Sequence, residues 1–543
     1  MMQKSFIYIL LVFRCITLSY AQENKPMRVE LEAVANTENY HIVPFGEKGV
    51  LLFYQSLTSY TDENITWYFS LYDVNFKEIW TKKYTDNRYM HFRLYNKDNK
   101  NLYLFLQKAV NKNQKDDFTI LTVDINSGSI KSQKGINPDH SDVNSFVVYN
   151  RTAYCSGMTV PTKGAEIGQV FFTLTLVPIF SGITLLKYHP SFFTVNLDNG
   201  QIKSIKETLK GQAWVESMEA DSIRNCLLLT IKNHIYPSQN YMYLNQYTPD
   251  GAQTASMELK TNDPKRKLNT AKLLSFNDST EIIIGTYNTR VKGHNANAAN
   301  LAFKEPSSGI YFTKLVHGVQ KNISFYNFSA LKSFYASLND KNAFRMKKMA
   351  MRKKAKGQEI SLDYSLLLHD IIVRDKQFVF IAEAYYPEYH EVSYTTYDAY
   401  GRPSTSSYSV FDGYRYTHAI IACFDTDGKL VWDNSFEMTN ILANALGERV
   451  QTLFDGDDII LTYSNDGQIA SKVIEGDKVI ENKNYTDIKT NYNNDKVISD
   501  YNSDMEYWYD NYFISYGYQR IKNTSIDAKS KRTVFYFNKI SFN

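Results

Sequence analysis

Along most of the chain, apolar and polar residues alternate with a period of two, in short runs that end at Asn, Asp or Gly. A two-residue period puts one set of side chains on each face of a pleated strand, so the pattern predicts β-strands. It is clearest in FTILTVDINSGSIKSQKG (118–135), FFTVNLDNGQIKSIKETLKG (192–211), YMYLNQYTPDGAQTASMELK (241–260) and AIIACFDTDGKLVWDNSFEM (419–438). Each is a β-branched and aromatic run, then Asn or Asp with Gly, then a second alternating run. Gly and Asn accept the positive φ of a tight turn, so each segment reads as a hairpin. Weaker copies occupy 67–84, 311–328 and 469–484.

Two more candidate strands precede the hairpins, for example GVLLFYQS, NLYLFLQKA, NCLLLTIKN, TEIIIGTYN, QFVFIAEAYY and DDIILTYS. Four-strand units at a period of ~40 to 50 residues are the signature of a β-propeller. Seven units emerge. The tail from Trp508 holds a further set, NYFISYGYQRI and RTVFYFNKISF, which lacks a fourth strand; MRVELEAVA (27–35) is the segment free to supply it. Pairing the two chain ends would remove an exposed sheet edge. The expected fold is all-β: a single β-propeller of eight four-stranded blades, with seven as the alternative, spanning 22–543.

The hairpins DTDGKLVW and DINSGSI resemble the repeats of quinoprotein-like, WD-like and related propellers of secreted bacterial proteins, in which a Gly turn precedes a strand that can end in Trp. Trp80 and Trp432 occupy that Trp position. The resemblance implies the fold; no residue set for a quinone is visible, and no cofactor is expected.

The long insertions fall in a pattern. In a blade of antiparallel strands a, b, c and d, the b-to-c and d-to-next-a connections share one end of the ring. Residues 158–190, 288–308 and 385–417 interrupt b-to-c connections, and 330–362 joins d of the fifth unit to a of the sixth. All four therefore emerge on one face, where long loops on a rigid scaffold carry function.

The first insertion contains VFFTLTLVPIFSGITLL (170–186), without a charge. Phe171, Phe172, Leu174, Leu176, Ile179, Phe180 and Ile183 are its candidate partner-binding residues. Pro178 and Gly182 favour a bent hairpin or broken helix over a straight span. It can fold over its own rim, dock into another protein, or enter a membrane. The insertion at 330–362 contains KNAFRMKKMAMRKKAKG, and its freedom from Gly and Pro between Phe334 and Lys354 predicts a helix. Arg345, Lys347, Lys348, Arg352, Lys353 and Lys354 make it a candidate surface for an acidic partner or anionic lipid, against the plainer reading of a solvated helix. The third insertion is rich in Tyr, which suits binding to proteins or glycans.

Composition narrows the classes. The chain has 61 Lys and Arg against 57 Asp and Glu, a balance that argues for no nucleic-acid partner. With 42 Tyr, 32 Phe and 12 Pro in 543 residues and no low-complexity linker, one closed fold fits better than several domains. The first residues carry Lys4, an apolar run from Phe6 to Phe13, and small residues at Ser19 and Ala21. That predicts an export signal over 1–21, and hence a periplasmic or outer-membrane-associated protein. A lipid anchor at Cys15 is disfavoured by Arg14 before it. Cys155, Cys226 and Cys423 are too scattered for a disulfide framework or a zinc site.

No catalytic or metal site is legible. The ten histidines are scattered, with no metal-ligand spacing, and no Gly-x-Ser-x-Gly elbow or phosphate loop occurs. Asp73, Asp124, Asp198, Asp250 and Asp427 fall in turns, where they cap backbone amides. Two functions lead, ahead of a third, a secreted structural protein with no envelope attachment whose apolar segment packs on its own body. One is a non-catalytic scaffold that docks its decorated face onto an outer-membrane or secretion assembly. The other is a glycan-binding or hydrolytic propeller with a central-channel pocket, whose carboxylates only the fold could bring together.

Overall fold

The computed structural model describes residues 27–542 apart from 34–38, 57–62, 109–116, 160–189, 206–211, 236–238, 290–306, 336–339, 358–364, 398–399 and 525–529. Its described strands form eight antiparallel sheets in sequence order, at 40–87, 90–136, 141–204, 212–258, 266–327, 365–443, 451–487 and 495–541. These are blades 1 to 8 of a β-propeller. In blades 1 to 7 the main strands neighbour one another in chain order, so a hairpin meander builds each blade from the axis outward.

The first strands form the inner wall. That of blade 2 touches that of blade 3, blade 3 touches blade 4, blade 4 touches blade 5, blade 7 touches blade 8, and blade 8 touches blade 1. Second strands are sandwiched between neighbours: in Asn101–Lys108 all but the end residues are buried. Outer strands are wet, as in Lys478–Asp487, which is exposed at nearly every position. Inner strands alternate, and in Met90–Lys97 every second side chain, His91, Arg93, Tyr95 and Lys97, is exposed.

The core lies between blades. One layer combines Phe53, Trp67 and Phe69 of blade 1 with Leu102, Leu104 and Leu121 of blade 2. Another joins Ile42 and Leu52 of blade 1 to Trp508, Ile514 and Phe535 of blade 8. Each fully buried side chain of this kind contributes about 1.5–3 kcal/mol, so every blade is stabilised through its neighbours.

The ring closes as the alternation predicted. Arg28–Glu32 is the outer strand of blade 8, pairing antiparallel with Lys531–Ser541 from Arg28 opposite Asn538 to Glu32 opposite Val534. Blade 8 also has a long inner strand, Asp495–Tyr509, which starts upstream of the expected tail.

The Gly turns seal neighbouring blades. Gly128, at φ +68°, lies under Trp80 of blade 1, and a β-carbon there would come within 2.9 Å of Trp80 Cδ2. Trp80 Nε1 donates to the Ile125 carbonyl at 3.0 Å. Trp432 of blade 6 lies in the same way against Gly476 of blade 7. The Trp positions of the sequence repeat are thus outer-strand lids on the next blade's turn.

Two insertions take definite form on the decorated face. The helix, α1, spans Asp340–Ala355 and follows a short 3-10 turn at Ser333–Tyr335. The Tyr-rich segment is a strand pair instead of a loop: Gln377–Tyr397 and Pro403–Phe424 pair continuously as a hairpin that projects from blade 6. Its Ser, Thr, Tyr and Val residues suit a pleated ribbon, and cross-strand rings such as Tyr389 and Phe411, 5.5 Å apart, hold it. Cys155, Cys226 and Cys423 are free thiols buried in the blades.

Candidate functional site in the central channel

Inner strands direct alternate side chains at the ring axis, so the channel collects one side chain in two from each blade. In blade 8, Met505 is fully buried in the blade, and its neighbours Asp504 and Glu506 therefore both face the axis. Two residues apart on a strand, their α-carbons stand about 7 Å from each other.

Blade 7 meets this pair through Arg449, at the end of the connection that enters the blade from the decorated face. Arg449 Nη1 donates to Asp504 Oδ2 at 2.6 Å. The guanidinium lies 5.8 Å from the Tyr416 ring centre. The Tyr416 hydroxyl donates to the Gly447 carbonyl at 2.8 Å and accepts the Gly447 amide at 3.1 Å, which fixes the connection.

Blade 6 supplies a third carboxyl. Its inner strand is broken between Ser365–Leu368 and Ile372–Arg374, and the break holds His369 and Asp370. His369 Nε2 lies 2.7 Å from Glu383 Oε1, on the second strand. The same oxygen accepts the amides of Arg449 at 2.8 Å and Val450 at 2.7 Å. Glu383 is wholly buried, and its Oε2 has no hydrogen-bond partner. Glu448 stands above, its Oε2 3.6 Å from His369 Nδ1 and its side chain 45% exposed to the channel.

Two blades on from blade 8, Tyr95 and Lys97 project from the inner strand of blade 2. Lys97 Nζ donates to the Pro44 carbonyl at 2.7 Å. Tyr516 lies opposite Asp504 in the blade 8 register. Around the rest of the wall, polar groups are spent on one another. Arg93 pairs with Asp142 at 2.8 Å, Trp214 donates to Glu216 at 2.7 Å, and Lys272 pairs with Asp370 at 2.7 Å.

The electrostatics single out the blade 7 and 8 wall. Burial and then the Asp504 charge push the Glu506 carboxyl up to about 8, against the pull of Lys97. Burial also raises Asp504, and Arg449 draws it back. Glu448 is raised by burial, opposed by His369 and Lys272. Burial works against the His369 imidazolium, but Glu383 and Glu448 outweigh it and the imidazole is raised. A carboxyl that keeps its proton at neutral pH beside one held by a guanidinium is an acid and base pair at one surface.

A second carboxyl cluster is structural. Burial pushes Glu219 up to about 7, but its Oε1 accepts the Ser275 amide at 3.0 Å. Arg224 binds both Asp221 and Glu281, and Ser275 donates to Asp221 at 2.6 Å, stitching blade 4 to blade 5. On the face opposite the insertions, a depression of about 460 Å³ lies between the turns of blades 6 and 7, lined by Ile372, Val373, Arg374, Asp375, Phe454 and Gly456. It gathers no set of converging carboxyls. Among the described residues no group of three or more His, Cys, Asp or Glu side chains is arranged to hold a metal ion.

None of these channel residues is legible as a site in sequence, because separate strands and connections of several blades contribute them. The one local trace is D-M-E at 504–506, where two acids flank an apolar residue on an alternating run. The residues singled out from sequence lie elsewhere. Phe171, Phe172, Leu174, Leu176, Ile179, Phe180 and Ile183 are outside the described residues, as is the side chain of Lys354. Arg345, Lys347, Lys348 and Arg352 are exposed on α1, and Lys353 is half-buried. No described helix is long and apolar enough to cross a membrane.

No family model matches the chain, and no curated protein matches it. Solved structures do match in overall fold. A polysaccharide lyase is similar at 9% identity and a TM-score of 0.39, over 84% of this chain and 91% of the other. The β-propeller domain of the Trilobed protease from Pyrococcus furiosus, described as having an open velcro topology, is similar at 8% identity and a TM-score of 0.33, over 84% and 95%. An apocarotenoid oxygenase of Synechocystis gives 9% and 0.35, over 75% and 73%. At these identities the likeness concerns fold alone. The class is a multi-bladed β-propeller, with eight blades in this chain.

Proposed function

We propose that the protein is a ligand-binding propeller whose working site is the channel wall of blades 6 to 8, and that its ligand is a neutral, hydroxyl-rich molecule of glycan type. The observation that carries this is the pair Asp504 and Glu506, facing the axis from alternate positions with Arg449 on one of them. Carboxyls, tyrosine hydroxyls and rings suit vicinal hydroxyls and the apolar faces of sugars. An anionic ligand would meet Glu448 and Asp504, with Arg449 already engaged. A lipid would find little apolar lining.

The same pair has the chemistry for glycoside hydrolysis. Glu506 would donate its proton to the leaving glycosidic oxygen as the C–O bond breaks. Asp504 would take a proton from the water whose hydroxyl adds to the anomeric carbon. Calorimetric titration with neutral oligosaccharides, run beside a reducing-sugar assay, tests the reading. Binding that is lost in Asp504→Asn and Glu506→Gln, with the fold intact, supports it; oligosaccharide binding that survives both substitutions overturns it.

A second reading keeps the protein as a scaffold of the cell envelope, exported and docked through its decorated face onto an outer-membrane or secretion assembly. The exposed cations of α1 favour it. Deleting 170–186 should then leave the fold intact and abolish co-purification with a membrane partner, and unchanged co-purification refutes it.

A further inference from the structure

We infer that the decorated face is a peripheral membrane-binding surface, in which α1 meets anionic lipid headgroups and the tip of the blade 6 hairpin enters the interface. The inference goes beyond the channel site and does not depend on it.

Helix α1 is seated on the propeller by one side. Met349 and Ala350 pack against the core layer of blades 5 and 6, and Lys347 Nζ lies 5.3 Å from the Tyr335 ring centre. What remains outward is charge. Arg345, Lys348 and Arg352 are exposed at positions i, i+3 and i+7, which share one face of a helix. Among the described residues none of them makes an ion pair with a carboxylate. The stripe runs along a helix about 24 Å long. A row of exposed cations without a shaped pocket complements a diffuse anionic surface better than a folded acidic site. Met351, 71% exposed among these cations, is an apolar group left pointing at whatever the stripe meets.

The hairpin supplies an independent observation. By antiparallel alternation it leaves the ring on the same face as α1. Beyond Glu388 it extends about 30 Å. Its sides are Ser, Thr and Tyr, and its tip carries Tyr397 and Tyr400, 71% and 86% exposed. Large rings at the end of a projecting arm cost free energy in water, and an amphipathic ring is most at home at a bilayer interface. Electrostatic attraction by the stripe and interfacial insertion by the tip together give the two weak signals that stable peripheral attachment requires.

Vesicle co-sedimentation of the full chain tests this. The protein should sediment with vesicles of phosphatidylglycerol and phosphatidylcholine at about 50 mM salt, not with phosphatidylcholine alone, and should be released at about 500 mM. Arg345→Glu with Lys348→Glu and Arg352→Glu should weaken binding at least about tenfold. Tyr397→Ser with Tyr400→Ser should weaken it several-fold, with the melting temperature unchanged in both variants. Equal binding to neutral vesicles, or full binding by either variant, would overturn the inference. Binding to a DNA duplex as tight as to the vesicles, through the same three cations, would overturn the assignment to lipid.

Discussion

Arg449 of blade 7 reaches across the blade boundary to Asp504 of blade 8, Nη1 to Oδ2, at 2.6 Å. The ion pair does two things at once. It ties the connection entering blade 7 to the inner strand of blade 8, and it opposes the burial that raises the Asp504 carboxyl, two residues from Glu506, whose own carboxyl burial pushes up to about 8. Both side chains are only partly buried, 14% and 21% exposed, so the pair is neither a dry ionic contact nor a screened surface one.

Arg449→Met removes the guanidinium while keeping much of the stem that lies over Tyr416. Asp504 is left beside Glu506 without its counter-charge and moves further toward the protonated form. Urea unfolding should show a loss of about 2 kcal/mol, less than the full cost of stranding a dry charge. Ligand binding in the channel should fall with it. Restoring binding, but not stability, by raising the pH, which ionises Asp504 again, would show that the guanidinium acts by keeping Asp504 charged.

The raised carboxyls give stability a definite pH slope. Glu506 titrates near 8 in the folded protein against about 4.5 in the unfolded chain, so between these values the folded state holds more protons. Stability must therefore fall as pH rises through this window. Glu219, near 7, adds to the fall, and the raised His369 extends it above pH 6.5. Melting temperatures taken from pH 5 to 8 should decline, and Glu506→Gln should flatten the decline by about 2 °C. A variant slope identical to that of the parent would place the Glu506 titration outside the window.

Trp80 and Gly128 carry the interblade seal. Gly128→Val adds a branched side chain at positive φ and drives it into the indole, so both backbone and packing oppose it. A loss of more than about 1 kcal/mol is expected in chemical denaturation. Trp80→Ala removes the same lid from the other side, and because both act on one contact their effects should fall short of additive. Full additivity would mean that the two residues are independent.

How much of this could be read from sequence follows from where each signal resides. The blades are local: an Asn or Asp with Gly between alternating runs fixes a hairpin, and Gly128 and Trp80 show why the Gly and Trp positions recur. The chain-end clasp was legible because MRVELEAVA lacked a partner and the last blade lacked a strand. The Tyr-rich segment reads as a loop in sequence because its alternation is polar on both faces, Tyr with Ser and Thr, and so lacks the apolar stripe that marks a strand in a core. The channel site was illegible for a different reason. Glu383, Glu448 and Glu506 look like any other surface acids until closure of the ring puts blades 6, 7 and 8 on one wall, and no local pattern encodes which inner-strand residues will face one another.

Closure itself rests on a buried ionic network. Arg28, on the strand contributed from the start of the fold, donates to Glu30 at 2.8 Å, Gln519 at 2.7 Å and Asn538 at 3.0 Å, and its guanidinium carbon lies 4.3 Å from the Tyr536 ring centre. Arg532 binds Glu30 at 3.0 Å and Asp495 at 2.5 Å, so two arginines share Glu30. Arg28→Ala leaves Gln519 and Asn538 facing a cavity and Glu30 with half its partners, at a cost of about 3 kcal/mol. Because this damage falls on the outer strand of one blade, local opening should precede global unfolding. Limited proteolysis should cut the variant between Glu32 and Tyr40 before other sites, and hydrogen exchange should rise first in Lys531–Ser541, the strand it covers. Uniform loss of protection over all eight blades would instead show that the clasp holds the whole ring as one cooperative unit.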